Sequence, residues 1–187
     1  MTDTSPSGRP PYLPGDPVPT NEIERMIRVD HAGEYGATRI YAGQLAIVGR
    51  GRARDEIRHM AEQEKRHLAA FDELVRVRQV RPSLLQPLWH VAGYVLGATT
   101  ALLGERAAMA CTVAVEEVID EHYHSQAERL GASDPPLRAT IEAFRADELR
   151  HRAVAIERGA TEAPGYELIC AVVKAGSRLA IRLATRL

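Results

Sequence analysis

The hydrophobic pattern of this chain is helical almost throughout. From Asn21 onward, apolar residues recur every three to four positions, and no stretch of useful length alternates in twos as a β-strand would. Glycines and prolines divide this periodic region into helices. These are predicted from Asn21 to the turn at 49–51 and over residues 52–79, 105–130, 135–159 and 164–187. The chain is therefore predicted to be all-α.

Ionisable residues interrupt the predicted core stripe in four of these helices. Each stripe begins and ends with apolar residues, and its middle holds acidic or imidazole side chains. The positions are Asp30, Glu34, Glu64, His67, Glu116, Asp120, Glu148 and His151. Burying an unpaired carboxylate costs several kcal/mol, roughly, so a cluster of them needs a compensating charge. A pair of metal ions is the simplest compensation.

The first predicted hairpin selects one of its two Glu-x-x-His motifs. Packed antiparallel helices place residues that are equidistant from their turn at one level. Glu34 then faces the helix between Glu64 and His67. The other motif, Glu56 with His59, lies about two turns too close to the loop. We therefore expect Glu56 and His59 on a solvated helix face.

The second predicted hairpin gives the same result. Glu116 faces the helix between Glu148 and His151 across the turn near residue 133. The competing motif, Glu121 with His124, lies on the same helix as Glu116, and Glu121 is rotated about 140° away from it. We expect this second pair on a solvated face as well.

Together the two selected motifs and two lone glutamates form the ligand set of a di-iron or di-manganese centre in a helical bundle. The two halves are an imperfect internal repeat with a long connection. This predicts a ferritin-like four-helix bundle of two helical hairpins, with a long apolar crossover and an additional C-terminal helix. We expect one domain over residues 21–187 and, because prolines crowd the N-terminus, a disordered leader over residues 1–20.

Composition excludes several other classes of protein. A net charge of -1 without a sustained basic face argues against nucleic-acid binding. The two cysteines, Cys111 and Cys170, lie in apolar stretches without a Cys-x-x-Cys spacing. A disulfide framework, a structural zinc or an iron–sulfur cluster is therefore poorly supported.

Uncommon strings of residues surround the predicted ligands. They are RVDHAGEYGA from Arg28, IYAGQ from Ile40, QEKRH from Gln63, PLW from Pro87, TALLG from Thr100, AMACTVAVEE from Ala108 and DELRH from Asp147. Over nearly everything after Asn21, the chain resembles the demethoxyubiquinone hydroxylases. These strings are more specific than the ligand spacing, which ferritins and other di-iron carboxylate proteins share.

The resemblance implies two iron ions per chain, and all six matching ligand positions are filled. The residues that would hold one iron each are Glu34 with His67 and Glu116 with His151, and the bridging residues are Glu64 and Glu148. The implied reaction is O₂-dependent hydroxylation of the benzoquinol ring of a polyprenylated demethoxyubiquinone, the penultimate step of ubiquinone biosynthesis. The resemblance favours NADH as the electron source. A partner reductase is the alternative, and other ubiquinone-biosynthesis proteins are candidate partners.

Three further residues are candidates for supporting roles. Asp30 and Asp120, each one turn from a lone glutamate, could orient the ligand histidines through their free ring nitrogens. The alternative is a buried acid bonded to backbone or arginine. Tyr123, two turns beyond Glu116, could donate a hydrogen bond or relay an electron near the site, and the alternative is a packed tyrosine.

The connection from Leu84 to Gly104 is 21 residues long and carries no formal charge. It is long enough to cross a bilayer, but a single crossing would put the two hairpins on opposite sides of a membrane. We therefore expect an apolar hairpin or helix in the membrane interface, along which the quinone enters, with outward residues such as Leu96 and Leu103.

The last helix repeats a basic residue every four positions, at Lys174, Arg178, Arg182 and Arg186. Such a stripe suits anionic lipid headgroups, and an ordinary amphipathic helix that caps the bundle is the alternative. The expected location is peripheral, on the cytoplasmic face of a bacterial inner membrane. The competing functions are another di-iron carboxylate oxygenase with a soluble substrate and a ferritin-like iron-binding protein.

Overall fold

A computed structural model describes residues 20–186 of the chain, and within that range the predicted all-α class is confirmed. The helices are α1 (Thr20–Ile47), α2 (Arg52–Val77), α3 (Gln86–Leu102), α4 (Glu105–Leu130), α5 (Pro135–Glu157) and α6 (Tyr166–Ala184), with a 3₁₀ turn at Ala160–Glu162. All five predicted helices are present, with ends that differ by three residues or fewer. The apolar crossover forms one further helix, α3. Except for Thr20, the predicted leader lies outside the described residues.

Helices α1 and α2 form one hairpin, and α4 and α5 form the other. The hairpins face each other with α1 against α4 and α2 against α5. Tyr41 of α1 contacts Glu116 of α4, whereas Glu34, earlier in α1, contacts Tyr123, later in α4. Helices α1 and α4 are therefore antiparallel. The ferritin-like bundle of two hairpins follows from this pairing.

An ion pair and a helix cap stabilise the end of the bundle where α2 ends and α5 begins. Asp134 caps α5 by accepting a hydrogen bond from the backbone N–H of Leu137 at 3.1 Å. The same carboxylate binds the guanidinium of Arg78 at the end of α2. This guanidinium and the Leu137 bond hold the pKa of Asp134 below its usual range, although partial burial opposes them. One side chain thus joins the end of one hairpin to the start of the other's second helix.

Glycines bring the crossover helix α3 unusually close to α1. A Cβ at Gly97 would lie 1.9 Å from the carbonyl oxygen of Ile40, and one at Gly43 would lie 2.2 Å from that of Tyr94. Only glycine permits this backbone approach. The crossover is therefore fixed along the outer side of α1. Within residues 20–186, no helix combines the length and apolarity needed to cross a membrane.

Helix α6 covers the outer side of α4. Its Cys170 and Val173 are buried against Cys111, Ala114 and Val115 of α4. Ion pairs between α6 and α4 add to this apolar contact.

Two of the four cations in the predicted lipid-facing stripe of α6 are paired with acidic residues of α4. Lys174 binds Glu117 of α4, and Arg178 binds Glu121 of α4 at 3.0 Å. The acidic side chains of α4 attract these two cations, so Lys174 and Arg178 point toward α4. Arg178, Arg182 and Arg186 are all exposed. The packing of α6 on α4 agrees with an amphipathic helix that caps the bundle, and contact with lipid stays a prediction.

Replacing Gly97 by alanine should destabilise the chain by roughly 1–3 kcal/mol, because the added methyl group must push α3 away from α1. Gly176 of α6 is the matched control, since a Cβ there has no heavy atom within 4 Å. Gly176→Ala should leave stability unchanged or raise it by up to about 1 kcal/mol through helix propensity. Urea denaturation followed by circular dichroism measures both. Equal stability of the two variants would contradict the close packing described above.

Candidate metal centre

Six ionisable side chains from four helices meet in the middle of the bundle. They are Glu34 from α1, Glu64 and His67 from α2, Glu116 from α4, and Glu148 and His151 from α5, and each exposes 2 % or less of its surface. Apolar clusters lie on either side of them along the bundle axis. The six residues selected by hairpin register are therefore brought together in a solvent-excluded position.

The six side chains form two overlapping groups that could each hold a metal ion. One group contains Glu34 and His67, the other contains Glu116 and His151, and both contain Glu64 and Glu148. Within each group the candidate ligand atoms lie within 4.8 Å of one another. Two carboxylates are therefore common to both candidate metal positions.

Glu148 lies between the two imidazoles. Its Oε1 lies 3.1 Å from Nδ1 of His67, and its Oε2 lies 3.0 Å from Nδ1 of His151. One carboxylate thus reaches toward both imidazoles with a different oxygen. The outer glutamates are farther from their imidazoles, with Glu34 Oε2 3.5 Å from His67 Nδ1 and Glu116 Oε1 3.8 Å from His151 Nδ1.

Eight buried polar atoms of this cluster make no hydrogen bond of acceptable geometry. They are Oε2 of Glu34, both carboxylate oxygens of Glu64 and of Glu148, Oε2 of Glu116, and Nδ1 of His67 and of His151. Buried polar atoms are nearly always satisfied in folded proteins. Four carboxylates balance two divalent cations, and carboxylate with imidazole is a ligand set that suits iron or manganese. The donor set therefore fits a pair of such ions.

Proton affinities in the cluster show the same shortage of positive charge. Burial raises the pKa of Glu64 well above its usual range, and the charge of Glu148 raises it further. Burial alone would lower the pKa of His67, but the nearby carboxylates of Glu148 and Glu34 outweigh it and raise that pKa to about 10. In the absence of other cations, the carboxylates are stabilised by protons that metal ions would displace.

Two tyrosines hold the outer glutamates from across the α1–α4 interface. The hydroxyl of Tyr123 donates a hydrogen bond to Oε1 of Glu34, and that of Tyr41 donates one to Oε1 of Glu116 at 2.6 Å. The hydrogen bond near the site that the sequence suggested for Tyr123 is therefore present. The sequence analysis missed Tyr41, although each tyrosine follows its own glutamate by seven residues. That repeated spacing was the available signal.

The outward ring nitrogens of the two histidines are held by residues that the sequence analysis did not select. Nε2 of His67 lies 3.1 Å from Oδ2 of Asp147, and Nε2 of His151 lies 3.1 Å from Oε1 of Gln63. Each partner directly precedes the paired glutamate of the opposite hairpin. Both imidazoles therefore direct Nδ1 toward the cluster.

The expectation that Asp30 and Asp120 orient these histidines is wrong. Asp30 accepts hydrogen bonds from Gln126 at 2.8 Å and contacts His122 Nε2 at 3.0 Å. Asp120 binds the guanidinium of Arg145. Asp30 lies on α1 and Asp120 lies on α4. The outward Nε2 atoms of the two histidines lie instead at the interface between α2 and α5. Pairing with arginine, the alternative considered for these acids, describes Asp120.

The two rejected Glu-x-x-His motifs lie outside the cluster, as predicted. Glu56 binds Arg158, and Glu121 binds Arg178 of α6. His124 is exposed and lies 3.4 Å from Glu128, and His59 is exposed. Hairpin register therefore separated the clustered motifs from the surface ones correctly.

An apolar cavity of about 360 Å³ lies on the other side of the α1–α4 layer, between α3 and α6. Ala37 and Ile119 in its wall each follow an outer glutamate by three residues, and Val115 directly precedes Glu116. The cavity thus reaches the level of the cluster. Leu96, expected to point outward, lines this cavity instead, because α3 turns that face toward α6.

The family described as "Ubiquinone biosynthesis protein COQ7" matches the chain over residues 21–184. The chain belongs to this family. The match includes every helix of the bundle except the first residue of α1, together with all six residues of the cluster. The resemblance noted from the sequence is therefore confirmed.

Curated relatives of the chain are named as hydroxylases. The 3-demethoxyubiquinol 3-hydroxylase of Rhodospirillum rubrum is 56% identical over 175 residues, which are 93% of this chain and 82% of that one. The human NADPH-dependent 3-demethoxyubiquinone 3-hydroxylase, mitochondrial, is 48% identical over 92% of this chain and 81% of its own length. The 5-demethoxyubiquinone hydroxylase, mitochondrial, of Saccharomyces cerevisiae is 40% identical over 88% and 78%.

Replacing His67 by alanine should remove at least one of about two iron ions expected per chain, because one group would lose its only imidazole. The matched control is His59→Ala, an exposed histidine of a Glu-x-x-His motif on the same helix. Its iron content should equal that of the unaltered chain. Anaerobic reconstitution with Fe(II), desalting and metal analysis give the stoichiometry. Iron loss in His59→Ala with retention in His67→Ala would overturn the assignment.

Proposed function

We propose that this chain is a 3-demethoxyubiquinol 3-hydroxylase that acts at a carboxylate-bridged di-iron centre. It hydroxylates the benzoquinol ring of a polyprenylated demethoxyubiquinone in the penultimate step of ubiquinone biosynthesis. The observation that carries this proposal is the buried cluster with two shared carboxylates. Support for the substrate comes from the relative that is 56% identical and is named for this reaction.

The reaction balances with O₂ and an external reductant. A ring C–H bond becomes C–OH, the second oxygen atom leaves as water, and two electrons and two protons are consumed. We assign NADH as the source of the electrons, with a partner reductase as the alternative. When bound, the iron pair supplies the activation of O₂ that an organic side chain cannot. Every other requirement is one of binding and positioning by the chain.

The chain positions the outer ligands through neighbours that are themselves fixed. Glu34 and Glu116 each keep one oxygen bonded to a tyrosine hydroxyl, which leaves the other oxygen of each carboxylate for a metal. Burial raises the pKa of Tyr41 and of Tyr123 well above the usual range, and the charge of the bonded glutamate adds to this. Both hydroxyls are therefore protonated donors at neutral pH.

The apolar cavity is the route that we propose for the quinone. It is lined almost entirely by aliphatic residues and glycines, as a polyprenyl chain requires, and its volume is in the range of small-molecule sites. Ala37, Ile40 and Ile119 bring its wall to the level of the cluster. An iron store or an oxygenase for a polar substrate has no use for such a cavity, so it favours the quinol hydroxylase.

We propose that the mouth of this cavity lies against a membrane. On α3, Leu88, Val91 and Val95 each expose about half of their surface or more, and Leu103, directly after α3, exposes 66%. On α6, Val172 exposes 62% and is near the same cavity. Exposed apolar residues on both sides of an apolar cavity suit a peripheral protein that receives its substrate from the bilayer.

The membrane in this proposal is a bacterial inner membrane, approached from its cytoplasmic face. Arg182 of α6 and Arg186, two residues beyond its end, are exposed and are available for anionic lipid headgroups. Other ubiquinone-biosynthesis proteins are candidate partners on the same surface.

The purified, iron-loaded chain should convert a demethoxyubiquinol to its hydroxylated product with one atom from O₂. Mass spectrometry after reaction under ¹⁸O₂ with NADH should show a gain of one labelled oxygen. Glu148→Ala should abolish this product, because it removes the carboxylate that reaches both imidazoles. NADH oxidation without labelled product, or a label taken from water, would argue against a monooxygenase.

Replacing Val91 by aspartate should weaken binding to vesicles that contain anionic lipid and should raise KM for long-chain quinones. A charge at an apolar interface opposes membrane contact, whereas short-chain soluble quinones do not depend on it. Val77→Asp on α2 is the matched control, since Val77 and Val91 expose 60% and 59% of their surface. Vesicle sedimentation and steady-state kinetics measure both variants. Equal vesicle binding by the two folded variants would place the membrane surface elsewhere.

A further inference from the structure

The two hairpins repeat the same contacts around the cluster, so any difference between them is informative. Tyr41 and Tyr123 each bind the outer glutamate of the opposite hairpin. Gln44 and Gln126 follow three residues later in each helix, and both are buried with their amide bonded across the α1–α4 interface. Each hairpin therefore provides the cluster with one outer glutamate, one shared glutamate, one histidine and one tyrosine in equivalent places.

The residues that hold the histidines break this equivalence. The residue before the shared glutamate is Gln63 in α2 and Asp147 in α5. Asp147 accepts from Nε2 of His67 and Gln63 accepts from Nε2 of His151, both at 3.1 Å. One imidazole is thus held by a carboxylate and the other by a neutral amide at the same distance.

We propose that this difference makes the two metal positions unequal. The position held by Glu34 and His67 binds its ion more tightly and fills first, and Asp147 and Gln63 are the positioning residues responsible. The inference rests on the di-iron centre of the proposed function and concerns how this chain distinguishes the two ions.

The physical basis is the electron density on the ligand nitrogen. An imidazole N–H that donates to a carboxylate is polarised more strongly than one that donates to an amide, so its other nitrogen is the stronger ligand. Residues beyond the ligands typically change metal affinity by about 10–100-fold in this way. The tyrosine bonds to the outer glutamates are alike in kind, so they do not offset the difference.

The local contacts of Asp147 preserve its effect on His67. Its Oδ1 binds Arg150, whose side chain is 65% exposed, and its Oδ2 remains for the imidazole. Water screens an ion pair at such a position, so Arg150 orients the carboxylate more than it neutralises it. Phe144 stacks on the His67 ring at 4.0 Å between centroids and fixes the plane of the ring. The His67 ring and the Asp147 carboxylate are therefore both held in place for their hydrogen bond.

Stepwise Fe(II) affinities of the metal-free chain test the inference without reference to turnover. Anaerobic titration against a competing chelator should resolve two steps that differ by about tenfold or more. Asp147→Asn keeps the shape of the side chain. It should lower the Fe(II) affinity of the first step, so that the two affinities become more nearly equal. Gln63→Glu should tighten the second step. Mössbauer spectra at one ⁵⁷Fe per chain should show one dominant ferrous site in the unaltered chain and two in Asp147→Asn.

Arg150→Gln is the control for a merely structural role of Asp147. It breaks the ion pair but leaves the carboxylate on His67, so the separation of the two steps should persist. Two resolved steps that are unchanged in Asp147→Asn, or weakened equally in it, would overturn the inference and leave the di-iron centre intact. Binding of fewer than two ions by the unaltered chain would instead contradict the proposed centre itself.

Discussion

Mutual repulsion among four buried carboxylates is the constraint on which the rest of this structure depends. Moving even one ionised carboxylate out of water costs several kcal/mol, roughly, after relaxation of the protein. Glu34, Glu64, Glu116 and Glu148 share one interior position, and burial raises the pKa of Glu148 to about 7 with a further contribution from the charge of Glu116. Such a position is stable only with protons or metal ions between the helices. The bundle is consequently organised around a need for positive charge at its centre.

Helices α1 and α4 form the wall that separates this polar centre from the apolar cavity. Each presents an outer glutamate and a tyrosine to the centre, and α1 also presents several glycines and alanines to the cavity. Gly33, Gly36 and Ala37 leave space on the cavity side that larger side chains would fill. The close packing of α3 on α1 bounds this space on its other side. An apolar molecule in the cavity can therefore approach the level of the cluster without exposing the carboxylates to water.

The helices and the clustered residues could be predicted from the sequence because both depend on local periodicity. A stripe such as Met109, Val113, Glu116 and Tyr123 shows which face is buried, and distance from the turn shows which residues meet. The partners of the histidines could not be found in this way. The contacts of Asp147 and Gln63 depend on how α2 and α5 are rotated against each other, which no single-helix pattern contains. The pairing of Lys174 with Glu117 likewise requires the position of α6.

The internal repeat gives two nearly equal halves, so chemical differences between the halves must come from residues behind the ligands. Where Gln126 of one half is bonded to Asp30, Gln44 of the other contacts Thr112. Asp30 also meets His122, so one end of the α1–α4 interface is more polar than the other. The residues that differ between the halves at these places all have hydrogen-bonding side chains. A duplicated scaffold can therefore acquire an asymmetric centre without any change in the ligands themselves.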